Sequence, residues 1–179
     1  DYAHPESLVE TDWVLAHLDD GTVRLVEVDV DTSMYQQGHI PNAIGWNWQS
    51  QLQAHLVRDI VNKNDMETLL STSGINNDTT VVLYGDNNNW FACWAFWQLK
   101  YYGHDDVKIM NGGRTKWESE GRPLVSDSPN HQATSYSIQI VNEKLRAYRD
   151  QILSSLLTGS VALVDVRSPD EFNGTLIAP

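Results

Sequence analysis

The apolar run Leu25-Val-Glu-Val-Asp29 returns at the far end of the chain as Leu163-Val-Asp-Val-Arg167, a shift of 138 residues. That interval is the length of a domain and not the period of a solenoid. Each copy is preceded by a segment with helical spacing, so the chain reads as one complete domain followed by the opening of a second, related one. In the first copy the run Tyr35-Gln-Gln-Gly-His-Ile-Pro-Asn-Ala43 follows the strand, and no such run follows the second copy before Pro179.

Between the copies, apolar strands alternate with helical segments. Thr11 to Leu18 has helical spacing with Thr11 or Asp12 as the cap, and Val23 to Val28 reads as a strand. An irregular stretch rich in Gln and Trp follows, then a short helix at Met66 to Leu70 that ends near Gly74. Thr79 to Tyr84 is a β-branched run of the kind that forms buried parallel strands. Asp86 to Asn89 is a polar loop, Trp90 to Tyr101 a helix closed by Gly103, and Val107 to Met110 a strand. Asn111-Gly-Gly113 then leads into a short helix through Trp117. This alternation implies βαβ units, hence an α/β fold with a mostly parallel sheet covered by helices on both faces. Val125 to Tyr136 reads as an exposed connector. A helix from Asn142 or Glu143 to about Leu157 and a strand over Val161 to Val166 open the second copy. The expected domains are therefore 1–124, a linker at 125–141, and an incomplete second domain at 142–179.

Composition removes several function classes. With 24 acidic against 12 basic residues the formal charge is −12, and no cluster of Lys and Arg is present to meet phosphates, so nucleic acid is not an expected partner. The apolar stretch Trp90 to Trp97 falls far short of the roughly 20 residues that cross a bilayer. The opening Asp-Tyr-Ala-His-Pro lacks the basic, apolar and small-residue series of a signal peptide. Cys93 is the single cysteine, which excludes an intrachain disulfide and fits a reducing, cytoplasmic compartment.

Several motifs fall in the order of a known family. Tyr35-x-x-x-His39-Ile-Pro41-x-Ala43 resembles the rhodanese signature, and Val26-Glu-Val-Asp29 and Val164-Asp-Val-Arg167 resemble the strand before it in each copy. Leu83-Tyr-Gly-Asp86, the aromatic helix, Asn111-Gly-Gly-Arg114-x-x-Trp117 and Glu120-Gly-Arg-Pro-Leu124 complete the series. The layout is similar to that of tandem-domain bacterial thiosulfate sulfurtransferases, with Asn42 where the family usually has Gly. The resemblance implies transfer of a sulfane sulfur from thiosulfate to cyanide or a thiol through a cysteine persulfide, with no cofactor. It also implies an inert first domain and an active second one.

The site residues follow from that resemblance. The position of the family nucleophile in the first domain holds Asp86, which cannot accept a sulfane sulfur and would repel a thiosulfate dianion. Asp86 is expected to cap the Trp90 to Tyr101 helix. Cys93 lies within that helix beside Trp90, Trp94 and Trp97, whose spacing marks an apolar face, and reads as core filler. His39 and Pro41 read as a structural motif, with the imidazole bonded to backbone to fix the turn. His4, His17, His55, His104 and His131 show no ligand spacing, so no metal site is expected. In the second copy, the resemblance makes Asp165 and Arg167 active-site support, and Glu171 stands where some members carry a cation. Arg114 and Trp117 read as structural. No catalytic residue is expected within residues 1–179, and the missing remainder of the second domain is an expected partner. The competing readings are a 3-mercaptopyruvate sulfurtransferase and a non-catalytic rhodanese-like binding module.

Overall fold

The computed structural model describes residues 2–54, 56–57, 59–159 and 161–177; His55 and Pro179 lie outside them. Two compact units are present, Asp1–Leu145 and Arg146–Pro179.

In the first unit, five strands form one parallel sheet: β1 (Leu8–Val9), β2 (Val23–Asp29), β3 (Ile44–Asn47), β4 (Thr80–Tyr84) and β5 (Val107–Met110), in the order β1-β5-β4-β2-β3. The period-2 alternation of strand side chains sorts the apolar residues onto two faces. Val26 and Val28 of β2, with Val81 and Leu83 of β4, meet α4 (Lys63–Thr72) and α5 (Trp90–Tyr101) through Met66, Leu70, Ala92, Ala95 and Leu99. Leu25, Val82, Tyr84 and Met110 face the other way, against Val14 of α1 (Thr11–Ala16) and Trp117 of α6 (Gly113–Ser119). The sheet is thus covered by helices on both sides, as expected.

Several local expectations need correction. Neither Thr11 nor Asp12 caps α1; Glu10 holds the N-cap position and makes no side-chain cap bond. The stretch expected to be irregular contains β3 and α3 (Trp48–Gln51), and Trp46 is buried with its Nε1 donating to Ser73 Oγ at 2.9 Å. A short helix, α2 (Ser33–Gln37), precedes the His39 turn. The helix expected at 66–70 begins at Lys63, because Asn62 accepts from the Asp65 N–H and caps it.

The segment after Leu124 is largely exposed, as expected, but it docks on the first unit toward its far end. It has no regular structure through residue 142, yet Tyr136 and Ile138 are buried. Its backbone bonds are met by the domain it crosses: Thr134 N donates to Ser71 O (2.9 Å), Ile138 N to Glu67 Oε1 (2.7 Å) and Asn142 N to Tyr101 O (2.7 Å). Polar residues alternate with docked ones along this strap, and that alternation gave its sequence the character of a linker.

In the second unit, the helix expected from 142 or 143 begins later, as α7 (Arg149–Thr158), and α8 (Pro169–Phe172) follows. Residues 161–166 form no strand; Val161, Leu163, Val164 and Val166 are exposed. A strand exists only through its ladder, and none of the described strands pairs with this segment.

Candidate functional site

The loop between β4 and α5 is the place where the two halves of the sheet present their strand ends. Gly85 passes so close to β2 that a Cβ there would lie 2.5 Å from the Val28 carbonyl oxygen and 2.9 Å from Asp29 Oδ1. Asn87, Asn88 and Asn89 then take left-handed backbone conformations in succession, at φ 45°, 56° and 64°. Asn tolerates that region better than other non-glycine residues, so the Asn-Asn-Asn sequence suits the turn it makes.

Side chains lock this shape. Asn89 Oδ1 accepts from Gly85 N (3.0 Å), and Asn89 Nδ2 donates to Met110 O (2.8 Å). Arg114 N donates to Gly85 O at 3.0 Å, and Gly113 leaves the space that Asn89 fills. Gly85→Ala should therefore destabilise the domain by about 1–3 kcal/mol, the usual penalty for overfilling a packed site. Equilibrium urea unfolding checks this; an unchanged midpoint would contradict the close approach.

Asp86 does not cap α5. Asn89 holds that N-cap position, and the Asp86 side chain makes no cap bond. The Asp86 carboxylate instead accepts from Asn87 Nδ2 (2.9 Å), and its backbone N–H donates to Asp29 Oδ1 (2.9 Å). Asp29 is 1 % exposed at the end of β2. Burial, with help from the Glu27 and Asp86 carboxylates and against the Asp86 N–H, pushes its carboxyl up to about 8. Sequence reasoning passed over Asp29 and Glu27 as site residues. The signal was there, since both are acidic positions on one face of a strand whose remaining residues from Leu25 to Val28 are apolar.

Behind the loop, Glu27 and Arg114 form a buried ion pair, Nη1 to Oε1 at 2.6 Å, with side-chain exposures of 0 % and 6 %. Arg114 Nη2 also donates to Gly38 O (2.6 Å) and Nε to Glu118 Oε1 (2.8 Å). Gly38 begins the turn that carries His39. His39 is buried, its Nδ1–H donates to Tyr35 O at 2.9 Å, and its ring stacks on Tyr35 at 4.1 Å between centroids. Pro41 lies in the same turn, and Asn42 takes φ 64°. Trp117 is fully buried, with Nε1 donating to Pro123 O.

Cys93 is not core filler. It is exposed, because the buried side of α5 is the row Ala92, Ala95 and Leu99. Small residues let the helix approach the sheet, while Trp90 stands 74 % exposed at the helix start. Desolvation by its surroundings pushes the Cys93 thiol up, which lowers its thiolate fraction and reactivity. Asp165 and Arg167 form an ion pair at 2.6 Å in the second unit, on side chains 34 % and 54 % exposed. Glu171 is engaged with Ser168 in a capping box at the start of α8. Among the described residues no group of three or more His, Cys, Asp or Glu side chains is placed to hold a metal ion, and no helix is long and apolar enough to cross a membrane.

Residues 10–120, covering the sheet and this loop, match the rhodanese-like domain family. The chain belongs to that family. It is 52 % identical over 174 residues to a presumed thiosulfate sulfurtransferase of Saccharopolyspora erythraea, covering 97 % of this chain and 61 % of the relative. It is 51 % identical over 178 residues to the sulfur carrier protein TtuD of Thermus thermophilus, covering 98 % and 62 %. The chain thus spans a little over three fifths of these relatives. Its fold is shared with SseA of Escherichia coli, from work on 3-mercaptopyruvate sulfotransferases (TM-score 0.86, 20 % identity, 95 % of this chain and 69 % of that one). Tum1 of Saccharomyces cerevisiae shares it as well (TM-score 0.79, 17 % identity, 97 % and 64 %).

Within this rhodanese-like domain the loop after β4 presents carboxylates. Asp86 stands in that loop with no cysteine beside it, and its N–H is already spent on Asp29.

Proposed function

We propose that the protein to which these residues belong is a cytoplasmic thiosulfate sulfurtransferase, and that residues 1–145 form its non-catalytic domain. The observation that carries this reading is Asp86 in the loop after β4, in a chain half-identical to relatives named for thiosulfate sulfurtransfer or sulfur carriage. In the reaction, a cysteine thiolate outside residues 1–179 attacks the outer sulfur of thiosulfate. The S–S bond breaks and sulfite leaves with the electron pair. Cyanide or a thiolate then takes the terminal sulfur of the persulfide and returns the cysteine thiolate. No cofactor takes part.

Asp165 and Arg167 are assigned to the second domain as support for that cysteine's loop. The repeat sets Arg167 against Asp29 and Asp165 against Glu27, so the position that is acidic at the inert loop is cationic in the second copy. His39 and Pro41 hold the turn behind the first loop and carry no chemistry.

The test is thiosulfate-to-cyanide turnover. The 179-residue chain should show none above background, and the full-length protein should be active with thiosulfate and weaker with 3-mercaptopyruvate. Turnover by the 179-residue chain that vanishes in Cys93→Ala would contradict the assignment.

A further inference from the structure

The strap from His131 to Asn142 is held to the sheet domain at two histidine contacts, one half-buried and one buried. His131 sits on the strap itself. Its Nε2 lies 3.0 Å from Asn42 O, and Arg24 Nη1 approaches both ring nitrogens, at 2.5 Å from Nδ1 and 2.7 Å from Nε2. A doubly protonated ring would set its positive charge directly against the guanidinium. Arg24 is otherwise bonded to Gly74 O, and its Nε is buried without a partner. Asp19 and Asp20 line the same cleft of about 260 Å³. Asp19 accepts from Asn42 Nδ2 and Asp20 from Thr22, so both are engaged away from the ring.

The second contact lies beneath the strap. His104 is 2 % exposed, its Nδ1 is 3.0 Å from the Tyr136 hydroxyl, and its Nε2 has no hydrogen-bond partner. Protonation would bury a charge there. Lys100 of α5 opposes a charge on His104, whereas Asp105, Asp106 and the Thr79 carbonyl favour it; burial outweighs these, and the imidazole is held below its ordinary range. His131 is also held low, by burial and by Arg24, against the Asn42 carbonyl.

We propose that the strap 131–142 is a releasable element, and that acidification detaches it from a sheet domain that stays folded. Along its length the strap is also fixed by the buried Tyr136 and Ile138 side chains and by single bonds: Thr134 to Ile75 O, Tyr136 N to Ser71 Oγ, Asn77 with Ser137, and Ile138 N to Glu67. The sheet amides sit in continuous ladders and contain no histidine. Both clamps fail in the same direction. A histidine whose folded pKa is depressed contributes stability that is present at neutral pH and erodes as pH falls below about 6.5.

Amide hydrogen exchange on the 179-residue chain at pH 7.5 and pH 5, corrected for intrinsic rates, tests this. The amides of Thr134, Tyr136, Ile138 and Asn142 should lose about tenfold protection at pH 5, shared between the two histidines, while Val26 and Leu83 keep theirs. In His104→Gln/His131→Gln the pH-dependent loss should shrink at least fivefold. If the double variant already lacks strap protection at neutral pH, the single variant His104→Gln is read instead and should show about half the wild-type response on a logarithmic scale. Strap protection that is unchanged at pH 5, that falls in step with the sheet, or that falls equally in the variants would overturn the proposal.

Discussion

Arg114→Ala should destabilise the first unit by about 3–5 kcal/mol, the largest effect of any single substitution in the loop region. The cost comes from what is left behind. Glu27 sits in β2, an interior strand, with a side chain that is fully buried, and Arg114 Nη1 is its ion-pair partner. Its other oxygen, Oε2, has no hydrogen-bond partner. Removing the guanidinium leaves that carboxyl uncompensated and also strips the Gly38 carbonyl of its donor, loosening the turn that leads into His39. The double change Glu27→Leu/Arg114→Met removes both charges and should cost less than Arg114→Ala alone, because an unpaired buried charge is worse than none. Urea unfolding of the three proteins checks this ordering. A double variant less stable than Arg114→Ala would mean that the pair contributes net stability of its own.

Asp29→Asn should stabilise the protein at pH 8, by on the order of 2–4 kcal/mol, and flatten its pH dependence. The sign follows from the direction of the shift. Burial raises the folded pKa of Asp29 to about 8 from its ordinary 3.8. Its favourable contribution is therefore complete below about pH 4 and is lost as pH rises toward 8, at up to about 1.4 kcal/mol per unit. Asn keeps an oxygen for the Asp86 N–H and cannot ionise. His104 and His131 act in the opposite sense below about pH 6.5, so the quantity to read is the difference between Asp29→Asn and wild type at each pH from 5 to 8.5. That difference should grow with pH. A constant difference would mean that Asp29 is ionised in the folded protein throughout.

Both effects centre on residues that the sequence marked only weakly. The central strands were legible because β4 and β5 are short apolar runs rich in branched residues, bounded by turns. The helix Trp90–Tyr101 was legible too, with both ends placed as expected. Its orientation was not. Three Trp residues at helical spacing suggested the buried face, yet Ala92 and Ala95 pack on the sheet because only small side chains allow that approach. Cys93 came out exposed for the same reason. Asp86 suggested a cap by residue type alone, but the three left-handed Asn residues after it move the helix start to Asn89, a tertiary arrangement fixed by Gly85, Gly113 and Met110. β3 was hidden by its Gly and Asn and by its length of four residues. The strap was hidden by its polarity, because its docking is carried by a few alternate residues and by backbone bonds to α4 and α5. In the second copy the opposite error arose: Val161 to Val166 has the composition of a strand, but composition supplies no neighbour to pair with.

The proposed function leaves the loop after β4 without sulfur and puts the sulfur acceptor outside residues 1–179. The most direct measurement is intact mass under non-reducing conditions after exposure to thiosulfate, followed by peptide mapping, on both the 179-residue chain and the full-length protein. A gain of one sulfur atom is expected in the full-length protein, mapped outside residues 1–179, and no gain in the 179-residue chain. A stable one-sulfur gain on Cys93 that cyanide discharges would contradict it.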